Sequence, residues 1–224
     1  MPSYSGVFTL QAQMQAIAAG TWTGIPLVIG QAFGGGYFAG QIGVSGVATH
    51  NLVIGPVSTA QSTNIKWKNA NTATPGADSN IDGPQNTADM VADGNSTVYP
   101  CAHFCNDLST GGQTDWYMPA KNELEICYFN LKPTTTANGT SSGINPNAVP
   151  ARASNYTSGN PAQTSASAFI TSTGAEAFAA AYYWNSTEFS ATYACLQTFG
   201  DGNQGQTNKG LAYYRVRAIR RVAV

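Results

Sequence analysis

Apolar positions along this chain come in short bursts, separated by polar stretches rich in Gly, Asn, Ser and Thr. The first burst has helical spacing. Leu10, Met14 and Ile17 share one stripe, Thr9 can cap the N-terminus and Gly20 can stop it, so residues 6–20 are predicted to form a short amphipathic helix. From Leu27 the pattern changes to strand-type runs over 27–29, 37–42 and 51–54, with Gly34-Gly35-Gly36 as a turn and Gly55-Pro56 as a stop. Residues 57–82 are polar and end in the loop signal Asp82-Gly83-Pro84. Helices are predicted over 84–92 and 98–108, the second with Val98, Ala102, Cys105 and Leu108 as its apolar stripe.

A third helix is expected from Pro119, which suits a first helical position, to Asn130. It would bury Leu124, Ile126, Cys127 and Leu131, while Glu123 and Glu125 complement its N-terminus and Pro133 ends it. Residues 133–167 have the composition of a long loop, a length that is usually functional or disordered. Residues 168–181 hold room for a short helix. Strands follow from Tyr182, over 193–199 after which Gly200 to Gly205 makes a polar turn, and over 213–224. That last strand would set Tyr214, Val216, Ala218 and Val222 on one face and Arg215, Arg217 and Arg221 on the other. The pattern divides the chain into an attachment segment, residues 1–25, and one domain, residues 26–224. There is no internal repeat.

Composition narrows the function. Charged residues make up 9% of the chain, against roughly 25% in a typical soluble domain. The net charge is −1, so the chain lacks the basic field that nucleic-acid binding requires. A 42% hydrophobic content with nine Phe, eleven Tyr and four Trp supports a packed core. No apolar run is long enough to span a membrane, and the first twenty residues lack the basic and apolar regions of a secretory signal. A neutral surface rich in amides and hydroxyls is typical of extracellular or virion-exposed proteins. Cys101 and Cys105 stand four apart in a predicted helix, a poor geometry for a disulfide, so four reduced and mostly buried thiols are expected, consistent with synthesis in a reducing cytosol.

Candidate chemistry is sparse. Glu123, Glu125, Glu188 and Asp115 could supply an acid–base carboxylate pair, but helix capping and pairing with a C-terminal Arg account for them more simply. His50 and His103 are the two histidines, too little material for a Ser-His-Asp or Cys-His site. No cofactor is expected. Asp78, Asp82, Asp89 and Asp93 leave calcium as the one metal to consider, although their spacing is not that of an EF-hand. The stretch from Tyr182 to Tyr214 differs from the rest. It interleaves aromatics with Asn, Gln, Ser, Thr and Gly, the mix that binding loops use for rigid contact area and adaptable hydrogen bonds. The alternative for the same residues is a core hairpin with its aromatics turned inward.

Three ordered segments carry a family resemblance. Asp115 to Leu124 (DWYMPAKNEL), Tyr183 to Glu188 (YWNSTE) and Tyr214 to Arg220 (YRVRAIR) resemble the motifs of the domain family typified by the C-terminal domain of the Legionella collagen-like adhesin, found in bacterial surface proteins and phage tails. Met118, Asn185 and Ile219 depart mildly from its pattern, and the resemblance spans about residues 34–224. It implies an α+β, C-type-lectin-like fold with short helices packed on small antiparallel sheets, no enzymatic activity, ligand binding, and a homo-oligomer, as a trimer. Trp116, Glu123, Trp184, Glu188, Arg215 and Arg217 would then be fold-making residues, with the two glutamates partly buried against the arginines.

On this basis the expected function is a virion receptor-binding or adhesin module of a phage tail fibre or tail tip. It would be made in the host cytoplasm and recognise a host cell-surface glycan or protein beside other virion tail proteins, without membrane insertion. The expected exposed contact set is Asn185, Tyr193, Gln197, Asp201, Asn203, Gln204, Asn208 and Tyr213. The rival expectations are a structural fibre protein without a receptor of its own, a hydrolase of surface polymer, a location on the bacterial cell surface, and a binding protein whose residues 185–213 are diversified by a retroelement.

Overall fold

A computed structural model describes residues 26–224 of the protein; the predicted helix over 6–20 and the attachment segment over 1–25 lie outside the described residues. The first sheet is built from β1 (Ala32–Phe33), β2 (Gly36–Val44), β3 (Val47–Ile54) and β10 (Ile219–Ala223) in that order, all antiparallel, with β5 (Ala148–Val149) on the free side of β2. β2 and β3 are joined by Ser45 and Gly46, both at positive φ (52° and 79°), the two-residue turn whose twist matches a hairpin. β2 and β3 fall out of register between Phe38 and Gly40. The carbonyl of Ala39, freed there, accepts a hydrogen bond from Asn130 Nδ2 at 2.9 Å.

The helices are short. α1 (Val57–Ala60) leads into β4 (Gln61–Ser62), which pairs with β9 (Val216–Arg217). α2 (Gly83–Asp93) is capped by Asp82, and α3 (Pro100–Asn106) packs on it. α4 (Lys121–Leu131) starts two residues later than the sequence pattern suggests. Pro119 precedes its N-cap, Ala120, rather than opening the helix. Ala has no side-chain acceptor, so the orphan amides of Lys121 and Asn122 go to Thr187 Oγ1 at 3.0 Å and Asn80 O at 2.9 Å, while Glu123 Oε2 accepts from the Ala120 amide at 2.8 Å and from that of Gly83, the first residue of α2, at 3.2 Å. The helix expected within 168–181 is a single 3-10 turn, Ser167–Phe169.

Two apolar cores form. α4 packs on β2, and their residues, with Tyr156, Phe169, Phe178, Tyr183 and Phe199, make the first. Trp67, Met90, Tyr99, Trp116, Trp184, Leu196 and Val216 centre the second. The third sheet, β6 (Tyr182–Glu188), β7 (Tyr193–Thr198) and β8 (Gln204–Asn208), lies between them. Tyr183 faces the first core while Trp184, Ala194 and Leu196 face the second, which is why β6 and β7 are buried almost end to end.

The C-terminal segment is not one strand. It breaks at Ala218, whose N–H bonds Ala60 and whose carbonyl accepts from Gly55, so the chain passes from β4 to β3 as its partner. Val216, Arg217, Ala218 and Ile219 are all buried, and the expected two-faced alternation fails there because both sides are covered. Residues 133–167 are irregular yet tied down. Lys132 Nζ donates to the carbonyls of Thr136 and Pro161, Asn138 Nδ2 to those of Thr157 and Pro161, and Asn145 Nδ2 to Asn122 O. Amide side chains here do what a ladder does in a sheet.

Candidate functional site

With β6 and β7 buried on both faces, ligand contacts from this region have to come from strand ends, the β8 edge and the loops. The expected contact residues separate accordingly. Asn185 and Gln197 do not belong to an exposed set. Asn185 is 1% exposed; its carbonyl accepts from Trp67 Nε1 at 2.8 Å and its Oδ1 from the Thr187 amide at 3.1 Å. Gln197 is fully buried, donating to Gly202 O at 3.1 Å and Tyr156 Oη at 3.4 Å. Both are polar residues placed mid-strand in a two-sided sheet, where the covering layers decide burial and local polarity does not.

The remaining six fall in three places. Asp201, Asn203 and Gln204 form the β7–β8 turn. Asp201 accepts from the Asn203 amide at 3.1 Å and from Asn203 Nδ2 at 2.7 Å, and the Gln204 amide donates to Ser142 Oγ at 2.9 Å. Tyr193 and Asn208 are cross-strand partners at the other end of the hairpin, four residues along β7 from Gln197, or about 13 Å. Tyr193 is 45% exposed, while Asn208 Oδ1 is engaged by the Gly210 amide at 2.9 Å. Tyr213 stands on the chain entering β9 and is 79% exposed. The turn depends on Gly202, at φ 78°, where a Cβ would overlap the Tyr128 ring. Gly202→Ala is therefore expected to lose about 2–3 kcal/mol, read as a lower urea midpoint at unchanged slope.

The motif residues sit inside. Trp116 Nε1 reaches the carbonyls of Thr110 and Gln113 at 3.2 Å, and Trp184 Nε1 that of Ile65 at 3.0 Å. Glu123 is fully buried and accepts from Tyr117 Oη at 2.6 Å and Arg221 Nε at 2.8 Å. Burial raises its carboxyl pKa, and Arg221 opposes that rise. Glu188 is paired with a lysine rather than an arginine: Lys209 Nζ holds one oxygen and the Thr74 amide, at 2.8 Å, the other. Arg217 is fully buried, with Gly55 O, Glu176 O and Glu176 Oε2 each at 2.8 Å. Arg215 contributes backbone instead, its amide donating to Tyr182 O and its carbonyl accepting from Trp184.

The other nominated carboxylates are likewise occupied. Glu125 is fully buried and takes Arg152 Nη2, Tyr156 Oη at 2.6 Å and Asn145 Nδ2 at 2.6 Å. Asp115 pairs with Arg220 at 2.6 Å and 2.8 Å, and this arginine holds its carboxyl below the usual range. Among the described residues no group of three or more His, Cys, Asp or Glu is placed to hold a metal ion. Asp82 caps α2, Asp89 accepts from Gln85 and Asp93 from Tyr99, so these three serve local structure. All four cysteines are free and buried, and burial pushes their thiols up. His50 sits in a shallow concavity with Ile42, Ile81, Asn147 and Arg221, and burial together with Arg221 lowers its pKa.

The sequence pattern did not single out three features that matter here. Tyr182 and Phe189 stand 49% and 59% exposed, although they belong to the same aromatic-and-amide stretch as the chosen residues. Lys68, Lys132 and Lys209 are buried with their ammonium groups on loop carbonyls, a role that nothing in their neighbouring sequence marks. The Glu176–Arg217 pair joins residues far apart in a loop and a strand.

Comparison with known proteins shows a family and, among solved structures, a distant likeness. The family model described as the Lcl C-terminal domain matches residues 57–220. A crystal structure of a fimbrial protein from Bacteroides ovatus ATCC 8483 is similar at a TM-score of 0.41 and 16% sequence identity. The alignment covers 75% of this chain and 35% of the fimbrial one, so the chain spans about a third of that protein's length. No curated protein matches the sequence.

Proposed function

The chain belongs to the Lcl C-terminal domain family, and on that premise we propose that it is a non-catalytic adhesin module that recognises a ligand on a cell surface. The observation that carries this reading is the placement of aromatics. Tyr182, Phe189, Tyr193 and Tyr213 are all at least 45% exposed, and they border a sheet whose interior is closed on both faces. Exposed aromatics beside amides and hydroxyls supply contact area at small entropic cost. The non-catalytic part is supported by Glu123, Glu125 and Glu188, whose oxygens are engaged by internal partners, and by Asp115, which is paired with Arg220 at the surface.

The finer reading places the module on a phage tail fibre or tail tip, as a trimer with a C-type-lectin-like fold. Short helices on small antiparallel sheets, with a long ordered loop region, are what support the lectin-like description. Trimerisation would raise a weak single-site affinity through avidity. The neutral composition suits a virion surface, and four free thiols suit synthesis in a reducing cytosol.

The test is binding of labelled purified protein to candidate host cells, with and without chelator, alongside its mass in solution. Saturable binding that survives the chelator is the expected result. A folded protein that binds no cell type tested would replace this reading with that of a structural fibre protein.

A further inference from the structure

The β2–β3 hairpin ends in an apolar tip beside a hollow of about 160 Å³. Buried Ile42 lines the hollow together with Val44 and Ile81, which are 59% and 38% exposed. Val47 stands 69% exposed on the other side of the Ser45–Gly46 turn, in direct register with Val44. Cross-strand partners project to the same face, so Val47 rises beside the hollow that Val44 lines. The turn closes in two residues, and β3 is held between β2 and β10, so both valines stand on an ordered base.

The polar side chains that line the hollow are engaged within the molecule. Thr49 Oγ1 donates to Ile42 O at 3.2 Å. Asn147 Nδ2 donates to Gly43 O at 3.3 Å, and its Oδ1 accepts from Asn122 Nδ2 at 2.9 Å. Arg221 Nε donates to Glu123 at 2.8 Å and its Nη2 to Ile81 O. His50 Nδ1 lies 3.1 Å from Thr49 Oγ1; burial, together with Arg221, lowers its pKa, so the ring is uncharged at neutral pH. A sugar would therefore meet mainly aliphatic wall. The hollow is also smaller than the roughly 300 Å³ at which small-molecule pockets begin. Its volume is on the order of what one apolar side chain or ring fills.

We propose that a second copy of this chain seats on the hairpin tip, with the second copy's Val47 in the hollow. This rests on the oligomeric part of the reading above and is independent of its ligand. A projecting apolar side chain and a hollow that fits one lie side by side in a single patch, which is what a self-complementary contact between identical chains requires. Charge points the same way. Asp82 and Arg221 lie 3.8 Å apart beside the hollow, and a patch that holds both signs is complementary to its own copy, whereas a patch of one sign repels it. The contact is small beside the about 800 Å² per side of a standard interface, so association with a Kd on the order of 10–100 µM is expected.

The experiment is sedimentation of the purified chain across roughly 1 µM to 1 mM, a range that brackets such an affinity. Cell binding is measured in parallel. The expected result for wild type is a mass above the 23.4 kDa of one chain that rises with concentration. Val47→Asp sets a carboxylate against the apolar hollow and should weaken association at least about tenfold, with the melting temperature unchanged. Val47→Ile keeps the apolar projection and should stay within about twofold of wild type. Val28→Asp is the control: Val28 is 65% exposed beside the start of β2, away from the tip, and its substitution should leave the mass unchanged. An oligomer equally strong in Val47→Asp would overturn the tip contact and leave the oligomeric reading standing. Dissociation by Val28→Asp to the same extent would overturn the location. A wild type that stays at 23.4 kDa throughout would overturn both the contact and the oligomer. Loss of cell binding by Val47→Asp in that case would assign the hollow to a cell-surface partner instead.

Discussion

Replacing Arg217 by Met is expected to destabilise the protein by about 3–5 kcal/mol, lowering its melting temperature by roughly 6–20 °C. The guanidinium is fully buried and joins two elements that have no other ionic tie: Gly55, at the end of β3, and Glu176, in the loop before β6. It also lies over the Phe178 ring, 4.7 Å from its centroid. Burial lowers its pKa to about 10, so it stays charged at neutral pH while its desolvation is offset by fixed acceptors. Methionine fills a similar volume but strands two carbonyls and leaves the Glu176 carboxylate its Val57 amide, at 2.8 Å, without its cation. Arg217→Lys keeps the charge and loses the fork that reaches Gly55 and Glu176 together, so it should recover less than half of the loss. Thermal and urea unfolding check this, and a Met variant that melts within 2 °C of wild type would refute it.

Arg217 also illustrates what the sequence could and could not reveal. Its segment, Tyr214 to Arg220, was legible as a family motif, and the importance of the arginine came with that resemblance. Its partner was not legible, because Glu176 sits 41 residues upstream in a stretch with no periodic pattern. The strands at 37–42, 51–54 and 193–199 could be found from local pattern, since β-branched and aromatic runs bounded by Gly and Pro carry that signal. The two-sided burial of the third sheet could not be found this way. A run such as YYWNSTE, with Asn, Ser and Thr at its centre, reads as a solvent-facing strand until the elements on both sides are known. Asn185 was misplaced for that reason, and Gln197 likewise.

The loop region shows the same limit from the other side. Residues 133–167 have the composition of a mobile loop, yet Lys132 and Asn138 bind its carbonyls from inside and Asn145 ties it to Asn122 O of α4. The sequence gives no local sign of this, because an internal ammonium group replaces the ladder that periodicity would reveal. Exposure of individual tyrosines was better signalled. The interleaving of aromatics with amides draws attention to this stretch, and the structure sorts it into buried Tyr183 and Trp184 and exposed Tyr182, Tyr193 and Tyr213. Composition signals that some of these rings face outward, and topology decides which.

The Lys209–Glu188 pair should show strong non-additivity. Lys209 is fully buried, over the Trp67 ring and bonded to Thr72 O and Glu188. Burial lowers its pKa and Glu188 opposes that shift. Lys209→Met leaves the Glu188 carboxylate with the Thr74 amide alone, a loss of about 3–4 kcal/mol. Glu188→Gln keeps the shape and the acceptor for Thr74 while removing the charge, and should lose about 2 kcal/mol. The double variant removes both charges, so it should cost about 2–3 kcal/mol less than the sum of the two single losses. Urea unfolding of the four proteins gives that coupling energy directly. The same Glu188→Gln variant separates structure from chemistry. If Glu188 is a structural acid, the substitution moves the urea midpoint and leaves untouched any release of reducing sugar from surface polysaccharide. A variant that unfolds like wild type while losing such an activity would instead make Glu188 a reacting group, and the family's adhesin character would not describe this member.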